Sequence, residues 1–319
     1  MGLDRIEASA RHGVRAVLDD LDPGSRLTIG LSGGSDSLAL TVATAFVARA
    51  DRFELEAVVI DHGLQDGSAD VAARAADQAR SLGVAAEVVK VDVARAGGPE
   101  AAARTARLEA LTSRGADAVL LGHTLDDQAE TVLLGLGRGS GPRSIAGMSS
   151  RAGVFRRPLL GLTRADTQHI CRLHDLTWWE DPHNSDPRFR RSRLRSQVLP
   201  LLEDVLGGGV VQALARTADL VRADVDLLDS LAAATDSTSV PELAALHPAL
   251  RSRVLRSAAL RAGAAADELA AHHIAELDRL VTDFRGQVRV ELPGGVSAHR
   301  SDGRISFFPT PGPADASVG

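Results

Sequence analysis

The sequence predicts an α/β fold: a doubly wound parallel sheet, followed by a smaller, mainly helical domain that ends in a β-hairpin. Three observations predict it. Short, nearly all-apolar runs alternate with helical patterns through the first half, as expected of strands covered on both faces by helices. Polar clusters at 32–37, 61–65 and 123–127 each follow such a run, at what would be the carboxyl ends of strands, where ligands bind in sheets of this kind. Gly207-Gly208-Gly209 then marks a boundary, beyond which apolar residues recur at helical spacing. At 319 residues the chain is long enough for two domains. They are expected at 1–206 and 207–308, with a disordered tail over 309–319.

Taken in order, residues 4–20 read as a helix ahead of the first strand, which runs from Leu27 to Leu31. Ser32-Gly33-Gly34-Ser35 is a turn, and Asp36 opens a helix that packs through Leu38, Leu40, Val42 and Phe46. The second strand, from Leu55, ends in Asp61-His62-Gly63; a helix from Ser68 to Leu82 follows, stopped by Gly83. Ala86–Val91 is the third strand and Pro99–Arg114 a helix with proline in its first turn. Ala118–His123 is the fourth strand, feeding a helix from Leu125 to Leu136. Residues 137–153, rich in Gly, Ser and Arg, read as a loop, 155–160 as a short edge strand, and Arg164–His174 as a helix. Regular structure stops at Trp178–Asn184 and resumes as a basic helix from Arg190 to Leu202, bent or ended by Pro200. In the second domain Val211, Leu214, Ala218, Val221, Val225 and Leu228 share a helix face, and helices follow near 248–262 and 267–283. Two strands, 288–292 and 304–308, close the pattern, separated by turn residues.

The formal charge of −6 argues against a purely electrostatic nucleic-acid binder, though it leaves local basic patches free to form. A single cysteine, Cys171, excludes a disulfide framework, a thiolate zinc cluster and a redox pair; flanked by Ile170 and Leu173, it reads as a buried small hydrophobe. No apolar run reaches membrane-spanning length and no secretion signal is visible, so no membrane partner and a cytoplasmic location are expected.

The most informative turn is Ser32–Ser37. Two glycines let backbone approach a bulky ligand, hydroxyls line the loop, and a helix start offers free N–H groups and a positive dipole end, together an anion cradle. An acid beside such a cradle, Asp36, makes sense if a divalent cation bridges it to the anion. The usual mononucleotide loop carries Gly-Lys-Ser/Thr, but the only lysine here is Lys90. The stretch instead resembles the SGGxDS loop of the N-type ATP pyrophosphatases, the PP-loop superfamily, which cleave ATP to AMP and pyrophosphate.

The second informative stretch is Gly122-His123-Thr124-Leu125-Asp126-Asp127-Gln128-Ala129-Glu130-Thr131. On a helix start, His123, Asp127 and Glu130 share a face, as do Asp126 and Glu130. Acids in a first turn also cap a helix, but capping needs one acid and no histidine. Three carboxylates suit Mg²⁺ or a cationic substrate. With Asp61-His62-Gly63-Leu64-Gln65, Leu136–Gly141, Arg157-Pro158-Leu159 and Trp178–Arg195, these motifs stand in the order found in the tRNA(Ile)-lysidine synthases, which the chain resembles from about Arg26 to Leu202. Departures are Gln65 for arginine, His183 for threonine, Ser192 for asparagine, and Leu108 where an aromatic usually stands.

The resemblance implies an ATP-dependent ligase that joins free L-lysine to C2 of the first anticodon cytidine of tRNA(Ile) with anticodon CAU, through an adenylated tRNA. It implies ATP contacts at Ser32, Gly33, Gly34, Ser35, Asp36, Ser37, Asp61, His62, Gly122 and His123, with Mg²⁺ on Asp36. Catalytic roles are expected for Asp36, Asp127, Glu130, Arg104 and Arg191, with Asp127 and Glu130 holding lysine and Asp126 nearby. Arg104 and Arg107, three apart on one helix, can both face the site. Arg188, Arg190, Arg191, Arg193 and Arg195, with Phe189 among them, supply a basic run for RNA backbone. The second domain is expected to grip the tRNA away from the anticodon, the further C-terminal domain of longer family members is expected to be missing, and a homodimer is left open. Two other readings compete: another PP-loop enzyme, such as a tRNA thiolase, GMP synthetase or NAD synthetase, and a non-catalytic RNA-binding module with a relic loop. Thiolases of this type typically need cysteine pairs, and binding alone needs none of Asp36, Asp127 and Glu130.

Overall fold

A computed structural model describes residues 4–61, 63, 67–91, 99–139, 141–181, 188–235, 237–266, 268–286 and 289–310, with backbone only for 99–104. His62, Gln65, His183, the side chain of Arg104 and the tail from 311 lie outside these described parts. The chain divides into two compact units, Met1–Val132 with Met148–Arg216, and Leu133–Gly147 with Thr217–Gly319.

In the first unit, alternation along the strands dictates two covered faces. Leu27, Ile29 and Leu31 of β1 (Arg26–Leu31) join Ala57 and Val59 of β2 (Glu54–Asp61) and Ala118 and Leu120 of β4 (Ala118–Leu121) in one core, while Val58, Val119 and Leu121 point into the other. The first core is closed by α1 (Arg5–Leu18), α2 (Ser35–Asp51), α3 (Ser68–Ser81) and α7 (Arg164–Leu173); the second by α4 (Pro99–Thr112) through Leu111 and Leu108. Leu108, where the family pattern has an aromatic, is thus an aliphatic filler. Fully burying each of the Val, Leu and Ile side chains among these core residues contributes about 1.5–3 kcal/mol. Adding β3 (Ala85–Lys90), β5 (Arg151–Ala152) and β6 (Phe155–Arg156), the sheet order is β3-β2-β1-β4-β6-β5, parallel except at β5. The order reverses between β1 and β4, paired in register from Leu27↔Ala118 to Gly30↔Leu121. That reversal is where an open α/β sheet leaves a crevice beyond its strand ends.

Two further elements frame the crevice, α5 (Leu125–Arg138) after β4 and a basic helix near 190–206. The basic helix departs from expectation. It begins as α8 (Arg190–Arg193), passes through a π-helical turn (Leu194–Val198) and continues as α9 (Leu199–Leu206). The irregularity directly precedes Pro200, which has no N–H for the Ser196 carbonyl four residues back, inside the π turn, so the expected bend takes the form of a widened turn in a continuous helix. The loop expected over 137–153 also contains a short helix, α6 (Pro142–Ile145), and strand β5.

The second unit has its own core, in which α11 (Val240–Ala245), α12 (Pro248–Arg261) and α13 (Ala271–Thr282) pack on a small sheet through Leu243, Leu255, Leu277, Leu280 and Val296. α10 (Val210–Ala233) runs into it from the first unit by chain continuity, and Arg251 of α12 pairs with Asp278 of α13 at 2.6 Å. The sheet is three-stranded and antiparallel, β7 (Val290–Leu292), β8 (Val296–Ser301) and β9 (Arg304–Pro309), not the two-stranded hairpin expected. β8 escaped notice because its only aliphatic residues are Val296 and Ala298, and it follows Pro293-Gly294-Gly295 at once. Pro309, expected to begin the tail, closes β9. Among the described residues no single helix is long and apolar enough to cross a membrane.

Candidate active site

The loop after β1 is shaped by its own hydroxyls. Gly33 adopts φ 80°, a left-handed value that disfavours side chains, and Gly34 leads into α2. Ser37 Oγ donates to the Gly34 carbonyl (3.0 Å) and accepts from the Ser32 amide (3.2 Å), so the loop is folded back onto the helix start. From outside, the Trp179 amide donates to the Gly33 carbonyl (2.9 Å), and Gln78 of α3 pairs with the amide and carbonyl of Thr177 (2.8 and 3.0 Å). Gly122 is required by contact: a Cβ there would lie 2.9 Å from the Asp36 carbonyl oxygen. The β4 strand end and the α2 start are therefore pressed backbone to backbone, uniting the first two motifs. Asp61, 5% exposed at the end of β2, accepts the Gly63 amide at 3.0 Å.

Asp36 is held by α7. Thr167 Oγ1 donates to Asp36 Oδ1 at 2.6 Å, and Arg164 Nη2 to Oδ2 at 3.1 Å. Burial pushes the Asp36 carboxyl above its ordinary range, against the pull of Arg164 and Thr167. The same α7 start is tied to the second motif, because Asp126 Oδ2 accepts the Arg164 amide at 2.8 Å. Asp126, expected near the substrate amine, thus has a connecting role.

The acids of α5 divide further. Asp127 Oδ2 accepts the amide (2.9 Å) and hydroxyl (3.1 Å) of Thr124, a first-turn capping interaction, while Oδ1 faces Arg195 Nη2 at 3.3 Å. Glu130 is fully buried; its Oε1 accepts from Arg195 Nε at 2.8 Å and lies 2.6 Å from Arg195 Nη2 in an ion pair, Arg191 Nη1 stands 3.7 Å from Oε2, and Oε2 itself has no hydrogen bond. Burial raises the Glu130 carboxyl above its ordinary range, opposed by Arg195 and reinforced by Asp127. Arg195 lies in the π-helical turn, a wider helical turn of the kind that often re-aims side chains at functional sites.

Of the residues expected from sequence, the fold brings together Ser32–Ser37, Gly122, Asp127, Glu130 and Arg191. His123 stands half-buried after β4. The basic run splits: Arg188, Arg190 and Arg193 are exposed, whereas Arg191 and Arg195, four apart, turn toward Glu130. Missed entirely were Arg164 and Thr167; their i, i+3 spacing was visible, but nothing in sequence pointed them at Asp36. Cys171 is buried, with its thiol pushed up to about 12 by desolvation, as suits a core residue. His273 Nδ1 accepts the Ala270 amide at 3.1 Å, a structural contact.

Comparison with known proteins follows the same partition. Residues 7–202 match the family model of the PP-loop domain, and 239–306 that of the TilS substrate binding domain. The chain is 49% identical over 311 residues to the tRNA(Ile)-lysidine synthase of Thermobifida fusca, covering 93% of this chain and 96% of that one. It is 52% identical over 308 residues to the tRNA(Ile)-lysidine synthase of Mycobacterium bovis, covering 93% and 92%. Among solved structures, the U34-tRNA thiolase NcsA from Methanococcus maripaludis aligns with a TM-score of 0.56 at 19% identity, over 68% of this chain and 80% of that one, a likeness of fold. Both halves of the chain, and nearly its whole length, thus answer to one set of relatives, and the chain belongs to the tRNA(Ile)-lysidine synthase family.

Proposed function

We propose that this chain is an ATP-dependent ligase that attaches free L-lysine to C2 of the first anticodon cytidine of tRNA(Ile) with anticodon CAU. In the first step the C2 oxygen attacks the α-phosphorus of ATP; a P–O bond forms, the bond to the bridging oxygen breaks, and pyrophosphate leaves. In the second, the lysine ε-amine attacks C2, a C–N bond forms, the C2–O bond breaks, AMP leaves, and the amine gives up a proton. The backbone of Ser32–Ser37 would cradle the phosphates, flanked by Asp61, His62, Gly122 and His123. Positioning and charge neutralisation are what such a phosphoryl transfer requires, and Arg104 and Arg191 would supply positive charge.

Mg²⁺ fits this site through Asp36 and the nucleotide together. Among the described residues no group of three or more His, Cys, Asp or Glu could hold a metal alone. One partly buried carboxylate beside an anion cradle suits a cation that takes its remaining oxygens from phosphates and water. When bound, the ion would neutralise charge on the leaving pyrophosphate.

The single observation that carries the reading is Glu130. It is fully buried beside Asp127, already faces guanidinium cations, and keeps one oxygen without a donor. Such a pair of acids suits a primary ammonium. The test is mass spectrometry of tRNA(Ile) incubated with ATP and isotopically labelled lysine, with pyrophosphate release followed in parallel. Label in the anticodon cytidine and release that depends on tRNA are expected; release indifferent to tRNA would sink the reading.

A further inference from the structure

The first turn of α7 gathers more contacts than a core helix needs. Its start is fixed by a capping box: the Thr163 hydroxyl accepts the Asp166 amide at 3.2 Å, and Asp166 Oδ2 accepts the Thr163 amide at 2.8 Å. Asp126 accepts the next amide, that of Arg164. On this anchored turn, Thr167 and Arg164 each take one oxygen of the same carboxylate, Asp36. Thr167 is fully buried, and its oxygen also stands 2.8 Å from the Arg164 carbonyl. A hydroxyl has one hydrogen to donate. Given to Asp36, it fixes the carboxylate rotamer through Oδ1. The Arg164 guanidinium is different. It holds Oδ2 at 3.1 Å, its side chain is 30% exposed, and its Nε is buried without an acceptor.

We propose that Thr167 and Arg164 are positioning residues of the nucleotide site that act on Asp36 in opposite senses. Thr167 orients the carboxylate for a divalent cation. Arg164 competes with that cation for Oδ2 and gives way when polyphosphate arrives to accept its guanidinium. Two positive groups on one carboxylate oxygen repel at short range, so the cation gains Asp36 only as the arginine leaves it. A planar guanidinium with a spare donor is well matched to phosphate oxygens. The arrangement couples metal entry to nucleotide entry. It rests on the reading of Ser32–Ser37 as the nucleotide loop.

The opposite signs supply the test. Mn²⁺ binding to the full chain without nucleotide is measured by electron paramagnetic resonance, and binding of a fluorescent ATP analogue is measured at saturating Mn²⁺. Arg164→Met is expected to tighten Mn²⁺ about tenfold while weakening the analogue, and Arg164→Lys to stay near wild type for Mn²⁺. Thr167→Val is expected to weaken Mn²⁺ about tenfold, the worth of one hydrogen bond to a charged acceptor, with Thr167→Ser restoring it. Thr167→Ser and Arg164→Lys also control for misfolding, since a merely structural turn would shift both positions in the same direction. Unchanged or weaker Mn²⁺ binding in Arg164→Met overturns the proposal. Wild-type protein that fails to bind the analogue at all would instead overturn the nucleotide-loop reading beneath it.

Discussion

Asp36, partly buried, and Glu130, fully buried, are both acids pushed upward by desolvation and both opposed by an arginine, yet they are built differently. Asp36 is held at each oxygen, by a neutral hydroxyl and a guanidinium from one anchored helical turn. Glu130 meets only guanidinium groups, on one side, from a helix that is locally unwound into a π turn, and its second oxygen has no hydrogen bond. The first design fixes a geometry. The second balances a charge and leaves a bonding position for a cation carrying N–H donors. That difference matches the proposed two-step reaction, in which one acid would serve phosphate chemistry and the other an amine.

The largest expected effect separates these roles. Asp36→Asn should lower tRNA-dependent pyrophosphate release by about 10²–10³, the usual cost of losing one charge-stabilising group. Glu130→Gln should leave that release within a few-fold of wild type while raising the lysine concentration needed for AMP release about a hundredfold, as expected on removing one partner of a buried charge pair. Stopped-flow measurement of the two products decides it. Equal loss of both products in both variants would erase the distinction between the acids.

Next in size is a structural break between the motifs. A Cβ at Gly122 would meet the Asp36 backbone at 2.9 Å, with no flexible side chain to yield. Gly122→Ala should cost about 1–3 kcal/mol, read by denaturant unfolding, and should impair Asp36 more than Glu130. Gly122 also shows what sequence makes legible. The strand–helix alternation, the polar strand ends and the glycines of the first two motifs were all readable, because local pattern and backbone chemistry determine them. Arg164 and Thr167 were not, since their meaning depends on how α7 packs across the start of α2. From sequence alone, Arg195 reads with its neighbours as RNA-facing. The π turn that redirects it toward Glu130 is signalled locally only by Pro200 just past its end, which predicts a bend but not which side chain it re-aims. β8 was missed for a simpler reason: its burial comes from the helices above it, not from an apolar pattern of its own.

A smaller effect is expected with pH. Asp36 has its folded-state pKa raised above the ordinary 3.8, so the folded chain binds that proton more readily than the unfolded chain. The resulting stability is present below the ordinary carboxylate range and is lost as pH rises through the raised value. Asp36→Asn removes this dependence. The stability difference between wild type and Asp36→Asn should therefore move against wild type between about pH 4 and neutrality, measured as denaturant midpoints across that range. Glu130→Gln should behave in the same sense. A difference that moved in favour of wild type with rising pH would mean that Arg164, rather than burial, dominates at Asp36.

The smallest effect tests the split within the basic run. Arg193 is exposed, whereas Arg191 stands 3.7 Å from the buried Glu130. If exposed arginines of this helix contact RNA phosphates, Arg193→Gln should weaken tRNA binding modestly and lower the slope of log affinity against log salt by about one, with the lysine requirement unchanged. Arg191→Gln should do the reverse, leaving the salt slope near wild type and altering the lysine requirement, because its guanidinium, though partly exposed, stands beside the buried acid. Filter-binding titrations over a range of salt concentrations, paired with lysine titrations of AMP release, read both axes. A salt slope lowered equally by the two variants would return Arg191 to the RNA-facing side and leave Arg195 as the principal cation facing Glu130.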